Sequence, residues 1–439
     1  MKPEREIIVG LDIGTTKICV IVGEKTGNNK INILGMGRTE SKDAVLRGMV
    51  INIDRTVEAI KRVIEEASQK SNVDIKTIHV GIAGQHIKSM HHRGQLIRNF
   101  SEEEITAEDI GKLIENAHHL PLSPGEQILH IFPQDYIIDD ERGIKIPVGS
   151  SGVKLEGNFH IITCQVTASN TIRRCVQKAG LELGDLILEP VASADAVLSE
   201  EEKEAGVVLV DIGGGTTDVA IFEDGLLRHT AVIPLAGEII TRDIKEGCNV
   251  IFRVAEALKV EFGSAWASEV KDNVIITIKG IKDRPPREIA QSNLAKIIQA
   301  RVEEIFEHVN YEIITSGLKK KLQGGIVLTG GGAQLKHLTQ LVEYITGMDA
   351  RVGYPTEHLS KGMTKEVGSP DYATCIGLVL NGLDTNTNNT MKEVEKEVGK
   401  VEKAEKKVRI HILRDLFKKG PISQKFDDFL KDGQGDFSK

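Results

Sequence analysis

The sequence predicts an α/β protein of two duplicated halves facing each other across a cleft, each half carrying an inserted subdomain, with a flexible tail at the C-terminus. Three observations predict it. A strand–Asp–Gly–Thr–strand unit occurs twice, a further buried strand runs into glycines and then a helix, and the globular pattern stops after Leu383.

The better-defined unit is Gly206–Gly225, GVVLVDIGGGTTDVAIFEDG. Val207–Val210 are large and apolar, as a strand buried on both faces requires. Asp211 ends it, Gly213, Gly214, Gly215, Thr216, Thr217 and Asp218 follow, and Val219–Phe222 is the return strand. Glycine permits positive φ and close backbone approach, so several N–H groups can converge on one anion. The hydroxyls add donors, and a carboxylate on each side can hold Mg²⁺ through water. Alone, the unit reads equally well as a tight Gly-rich hairpin. A second copy tips the balance. Ile8–Val22 reads IVGLDIGTTKICVIV, which sets Asp12 against Asp211 and places Gly14, Thr15, Thr16 and Lys17 in the matching turn. Two such hairpins across a cleft would grip opposite sides of a phosphate chain.

The chain has 439 residues, enough for several domains and a large core. Its formal charge of −8, from 56 basic and 64 acidic residues, argues against a general nucleic-acid binder. Cys19, Cys164, Cys175, Cys248 and Cys375 are scattered without a C-x-x-C pair. Buried, reduced thiols in a cytosolic protein are therefore expected. The charged N-terminus enters a strand directly, so no signal peptide is expected. No stretch approaches the roughly 20 apolar residues of a membrane-spanning helix.

Taken in order, Ile7–Leu11, Ile18–Val22 and Ile31–Gly35 read as a three-strand meander. A helix capped by Asp54 carries Val57, Ile60, Ile64 and Ala67 at helical spacing, and Ile75–Ala83 returns as a strand. These residues, 1–84, together with 161–204, make the first core subdomain. Residues 85–160 form an α+β insert. It holds a Ser101/Glu104 capping box, a helix over Ala107–His118 and an alternating strand over Ile128–Ile138. His86, His91, His92, His118 and His119 lie in or near it without metal-ligand spacing, and solvated surface is the expectation. Ile161–Thr167 rejoins the core, Asn170 caps a helix ended by Gly180, and Glu189-Pro190 opens the small-residue helix VASADAVL.

The second half repeats the order. Residues 205–236 and 306–383 are its core, and 237–305 its insert, with helices over Arg253–Phe262 and Glu288–Ser316 and a strand over Val274–Ile278. Ile326–Leu328 ends in Thr329, Gly330, Gly331, Gly332 and Ala333 before a helix, a place to seat a neutral base and ribose. Tyr372–Leu383 is a second small-residue helix suited to crossing the first.

Residues 384–407 read as a charged linker. Residues 408–439 are an amphipathic tail. Ile412, Leu413, Leu416 and Phe417 share one helical face among Lys and Arg, and Phe426, Phe429 and Leu430 share another. A partner-bound helix is one reading. A basic, apolar-faced segment on a tether favours an interfacial membrane anchor.

With these motifs in order, the chain resembles the actin/chaperone/sugar-kinase ATPase superfamily and, within it, the FtsA family of bacterial cell-division proteins. The resemblance rests on the first phosphate loop GLDIGTTK, the second DIGGGTTD, the adenosine loop LTGGGA and the helices from Glu189-Pro190 and Ala373. The insert after Gly81-Ile82-Ala83-Gly84 resembles the subdomain peculiar to FtsA, whereas MreB and actin place theirs elsewhere. Where the family commonly ends in a single Trp/Phe-rich segment, this tail carries two modest ones.

The resemblance implies an actin-like ATPase fold holding ATP and Mg²⁺. Gly14, Thr15, Thr16, Lys17, Gly214, Gly215 and Thr216 would donate to phosphates. Asp12 and Asp211 would hold Mg²⁺ through water, with Asp218 supporting the second loop. Glu189 would position the attacking water, and Gly237, Glu238 and Thr241 would border the nucleoside opposite Gly331, Gly332 and Ala333. It further implies a filament-forming protein at the division septum, on the cytoplasmic face of the inner membrane. Its partners would be membrane lipids, itself, other division proteins and the FtsZ C-terminal tail, docked on the second insert near Arg284, Arg287 and Arg301. A DnaK-type chaperone would need a β-rich domain after the ATPase, and a sugar kinase a catalytic Asp and sugar-binding set in its first half. A pilus-assembly relative shares all three loops.

Overall fold

Continuous apolar runs make strands that are buried on both faces, and each half is built on such strands. The structure, a computed structural model, describes residues 6–383 apart from 27–29, 42, 99–102, 272, 281, 283–284 and 361–363. β1 (Ile7–Ile13), β2 (Lys17–Lys25) and β3 (Ile31–Glu40) form an antiparallel meander. A short ladder of β4 (Val45–Leu46) and β5 (Met49–Val50) follows. α1 (Ile53–Ser71) buries Val57, Ile60, Val63 and Ala67. Its cap is Asn52, not Asp54: the Asn52 side chain accepts from the Arg55 amide at 3.1 Å. Asp54 instead lies in the first turn, where a negative charge suits the helix dipole. β6 (Thr77–Ile82) then pairs parallel to β1.

The first insert is a four-stranded sheet with one helix against it. Its elements are β7 (Lys88–Ile97), α2 (Ala107–His118), β8 (Glu126–Ile138), β9 (Glu141–Ile144) and β10 (Lys154–Gln165), in sheet order β7-β10-β8-β9. Phe159, Leu113, Leu155 and Ile161 fill the space between helix and sheet. The capping box of α2 is made by Thr106 and Asp109, not by Ser101 and Glu104. Both pairs have the right spacing, and Thr106 has the extended backbone a cap needs; Ser101 lies outside the described residues. Ile161–Thr167 is not a separate core strand, since β10 stays paired with β7 as far as Thr163. His86 departs from the solvated expectation: it is buried and, among the described residues, neither ring nitrogen finds a hydrogen-bond partner. His118 and His119 are exposed.

α3 (Val166–Lys178) starts directly at the end of β10, so Asn170 lies inside the helix and caps nothing. β11 (Glu182–Leu188), α4 (Glu189–Val197) and α5 (Glu200–Ala205) lead to the second half. There β12 (Val207–Ile212), β13 (Thr217–Glu223) and β14 (Leu226–Ile233) repeat the meander. α6 (Gly237–Gly247), α7 (Phe252–Phe262), β15 (Ile275–Ile278), β16 (Arg287–Ala290) and the start of α8 (Gln291–Thr315) form the second insert. The expected helix from Glu288 begins three residues later, because Arg287–Ala290 pair with Ile275–Ile278. β17 (Ile326–Thr329), α9 (Leu338–Thr346), β18 (Ala350–Val352) and a helix over residues 373–383 complete the unit.

The two core sheets have the orders β3-β2-β1-β6-β11 and β14-β13-β12-β17-β18. Position by position the pairings match: each first strand is antiparallel to the second and parallel to the fourth element of its sheet. The duplication read from two short motifs therefore extends to the whole sheet. Between the halves, α4 and the last helix pack through Ala194, Ala373, Cys375 and Ile376. Cys19, Cys164, Cys175 and Cys375 are buried free thiols, and Cys248 is partly buried.

Candidate functional site

The β1–β2 and β12–β13 turns close in the same way. Gly14 N–H donates to the Lys17 carbonyl at 3.0 Å, and Gly213 N–H donates to the Thr216 carbonyl at 3.0 Å. The two tips meet. A Cβ on Gly214 would lie 3.0 Å from Thr16 Oγ1, and one on Gly215 would overlap Thr15 Oγ1. Thr15 and Thr16 of one half thus face Gly214 and Gly215 of the other, and side chains on those glycines would push the hairpins apart.

The third loop packs on the second hairpin. Gly330 has φ 81°, and a Cβ there would lie 2.6 Å from the Ile212 carbonyl oxygen. A Cβ on Gly332 would lie 2.8 Å from Ile212 Cβ, and one on Gly331 would lie 2.7 Å from Asp371 Oδ1. Ala333 is buried behind them. From the other side, Gly237 N–H donates to Gly213 O at 3.1 Å and Glu238 N–H to Gly214 O at 2.8 Å. The structure therefore brings the first hairpin, the third glycine loop and the start of α6 together around the second hairpin.

Some expected donors are already engaged. Thr217 is fully buried and its hydroxyl donates to Leu235 O at 2.7 Å, which ties β13 to the segment after β14. Lys17 Nζ donates to the Asp371 carbonyl and sits 4.8 Å from the Tyr372 ring centre. Thr241 is buried and bonded to Gly237 O, Glu256 and Lys259. Lys259 Nζ also donates to Gly237 O at 2.9 Å and to Glu256 Oε2 at 2.8 Å. Glu256 and Lys259 were not foreseen from sequence, although their three-residue spacing on α7 puts both on one face.

The acidic groups converge on the same cleft. Asp211 Oδ2 accepts from Ser193 Oγ at 2.7 Å and Thr374 Oγ1 at 3.3 Å, one hydroxyl from each crossing helix. Asp218 Oδ2 accepts from Thr216 Oγ1 at 2.9 Å, while Asp218 Oδ1 is buried and, among the described residues, has no partner. Glu189 starts α4 with its side chain against Gly81, where a Cβ would lie 2.9 Å from Glu189 Cγ. Burial raises the Asp12 carboxyl to about 6, against the pull of Lys17 and with help from Asp211 and Asp371. Burial and then Asp211 raise Asp218 to about 8. Glu189 is pushed well up by burial, then by Asp12, Asp218 and Asp211. Burial also raises Asp211, which Ser193 opposes. Buried carboxyls that resist ionising together are a setting suited to a cation. Among the described residues, no three His, Cys, Asp or Glu side chains converge as direct ligands. The arrangement fits Mg²⁺ held through its water shell by Asp12 and Asp211.

In the second insert, Arg301 is paired with Asp243 at 2.6 Å and with Glu304, and Arg287 donates to Asn249 O at 2.8 Å. Arg284 and the tail residues Ile412, Leu413, Leu416, Phe417, Phe426, Phe429 and Leu430 lie outside the described residues.

Comparison with known proteins places this architecture. The family model described as cell division protein FtsA matches residues 208–377, and that of the SHS2 domain inserted in FtsA matches residues 84–163. The cell division protein FtsA of Pseudomonas aeruginosa is 41% identical over 389 residues, covering 89% of this chain and 92% of that protein. That of Borreliella burgdorferi is 36% identical over 414 residues, covering 94% and 100%, and that of Escherichia coli K12 is 36% identical over 402 residues, covering 90% and 94%. Among solved structures, a PilM–PilN type IV pilus biogenesis complex aligns with a TM-score of 0.63 at 16% identity, covering 86% of this chain and 99% of the other. MreB5 of Spiroplasma citri bound to ADP aligns with a TM-score of 0.50 at 13% identity, covering 88% and 98%. The fold is that of the actin-like ATPases, and with full-length relatives at this identity the chain belongs to the FtsA family of cell division proteins.

Proposed function

We propose that this chain binds Mg²⁺·ATP in the cleft, assembles into filaments on the cytoplasmic face of the inner membrane at the division septum, and ties the FtsZ ring to that membrane. The observation that carries the reading is the meeting of the two Asp–Gly–Thr hairpins, Thr15 and Thr16 against Gly214 and Gly215, over a cluster of under-ionised carboxyls. Backbone N–H groups and hydroxyls on two sides suit a phosphate chain. Asp12 and Asp211 would hold the cation through water, and the cation would neutralise charge on the cluster and on the phosphates.

Glu189, with its proton-holding carboxyl in the cluster, would act as general base once the cation lowers its proton affinity. Ser193 and Thr374 orient Asp211. Gly331, Gly332 and Ala333 on one wall, with Gly237, Glu238, Thr241 and Lys259 on the other, would enclose the nucleoside. The FtsZ C-terminal tail would dock on the second insert. Arg284, Arg287 and Arg301 would be the candidates to meet its acidic residues, Arg301 by exchanging its Asp243 partner. The residues from 408 onward would anchor the assembly in lipid.

The test is vesicle co-sedimentation of the full chain with ATP, with ADP or without nucleotide, in the presence and absence of FtsZ. ATP-dependent pelleting that carries FtsZ down is expected. Pelleting indifferent to nucleotide would detach the cleft from the function, and failure to carry FtsZ would remove the tether.

A further inference from the structure

We infer that Arg47, at the tip of the β4–β5 ladder, reads the terminal phosphate of the bound nucleotide and so separates a nucleoside triphosphate from a diphosphate. The inference rests on the reading of the cleft as an ATP site. Val45 pairs with Val50 and Leu46 with Met49, leaving Arg47 and Gly48 as a two-residue loop. Both have positive φ, 49° and 75°. Asn-Gly and Asp-Gly take that conformation readily, whereas the arginine Cβ opposes it. A side chain kept on an unfavourable backbone points to a use for the side chain.

The tip rests on both phosphate hairpins at once. Gly48 N–H donates to Thr15 Oγ1 at 3.1 Å. A Cβ on Gly215 would lie 2.9 Å from Arg47 Cα and 3.0 Å from Arg47 N. The nucleoside loop, by contrast, packs on Asp211 and Ile212 at the strand end of the same hairpin. The second hairpin therefore has a nucleoside side and a side covered by Arg47.

Arg47, Gly214, Gly215, Glu238 and Arg242 line a cavity of about 110 Å³ beside this contact. Arg242 is committed to Glu238 at 2.6 Å. The Arg47 side chain is exposed and, among the described residues, has neither hydrogen bond nor ion pair. An uncommitted guanidinium at the junction of two phosphate-gripping turns is placed for the last phosphate of the chain, whose oxygens match its paired N–H donors.

The experiment titrates fluorescent ATP and ADP analogues into the full chain and into Arg47→Asn and Arg47→Lys variants, with thermal melting alongside. Asn suits the left-handed turn position, so Arg47→Asn should melt no lower than the parent while ATP affinity falls about tenfold or more. ADP affinity should stay unchanged, and Arg47→Lys should fall between the two. Equal losses for both nucleotides, or full ATP affinity in Arg47→Asn, would overturn the assignment. A parent chain that binds neither nucleotide would sink the ATP reading itself, and the inference with it. A parent that binds both with Arg47→Asn unaltered would sink only the inference.

Discussion

A Cβ on Gly377 would lie 2.9 Å from Ala192 Cα and overlap the Ala192 carbonyl, so α4 and the last helix touch backbone to backbone. The same two helices supply Ser193 and Thr374, the two hydroxyls that donate to Asp211. This backbone contact between the halves and the support of a site carboxylate are therefore one structure. A shift of the crossing would move both donors relative to Asp211.

Gly377→Ala should lower stability. Alanine gains about 1 kcal/mol in helix propensity over glycine, but overpacking typically costs about 1–3 kcal/mol. Here the obstacle is backbone, which cannot rotate aside, so the overlap wins. Denaturant unfolding should show a lower midpoint, and nucleotide affinity should fall with it. A midpoint equal to or above the parent's would show that the helices can separate freely.

Glu189→Gln should keep ATP affinity while lowering any measurable hydrolysis at least about tenfold, since general-base contributions run to roughly 10²–10⁴. The amide fills the same place against Gly81 but cannot take a proton. Equal turnover in parent and variant would remove Glu189 from the chemistry. No turnover in either would leave the nucleotide an ordering ligand for the filament.

The carboxyl cluster makes stability fall with rising pH when Mg²⁺ is absent. Asp12 and Asp218 have an ordinary value of 3.8, raised in the folded state to about 6 and about 8. Between these limits the folded chain holds protons that the unfolded chain has lost. The stability is therefore fully present below about 3.8 and is lost as pH climbs through the raised values. His130, lowered to about 4, and His160, lowered to about 3, act oppositely at acid pH, because burial keeps them neutral. Asp218→Asn isolates the carboxyl, since the amide oxygen can still accept from Thr216. Between about pH 6 and pH 8 the parent's melting temperature should drop relative to the variant's, and added Mg²⁺ should shrink the gap. Parallel curves would show that Asp218 does not titrate there.

The legible parts were the local ones. A strand, an Asp, a Gly–Thr turn and a return strand lie within a few residues of each other, so Asp12 and Asp211 could be matched on sequence alone. The helix Ala107–His118 was legible from its apolar spacing. What escaped depends on distant chain. Nothing near Ser193 in VASADAVL says that its hydroxyl will meet Asp211, and nothing near Lys259 announces the carbonyl of Gly237. β7 was missed as a distinct strand because His91, His92 and Arg93 break its apolar pattern, and that strand is largely solvent-facing. Caps were misplaced at Asp54 and Asn170 because several polar residues compete and the backbone chooses among them. Arg47 carried no signal, since its unusual φ belongs to the turn and not to the residue type.

The tail should bind membranes weakly in one copy and firmly in an assembly. Ile412, Leu413, Leu416 and Phe417 are the apolar residues of the basic segment. Burying such side chains contributes roughly 1.5–3 kcal/mol each, and nearby Lys or Arg about 1 kcal/mol each on anionic lipid. Ordering a segment into a helix opposes this at about 1–2 kcal/mol per residue, so a single copy should attach reversibly. Side-by-side copies in a filament raise the effective concentration of every further tail. Pelleting with anionic vesicles should therefore increase with ATP and fall with salt. Deleting 408–439 should leave the ATPase core folded and nucleotide-binding but unable to pellet. A truncated chain that still pellets would put the anchor elsewhere. If deleting 420–439 alone abolishes pelleting, the contact is the second segment, with Phe426, Phe429 and Leu430. The first segment is the better expectation, because its flanking Lys406, Lys407, Arg409, Arg414, Lys418 and Lys419 add attraction to acidic headgroups, whereas Asp427 and Asp428 oppose it in the second.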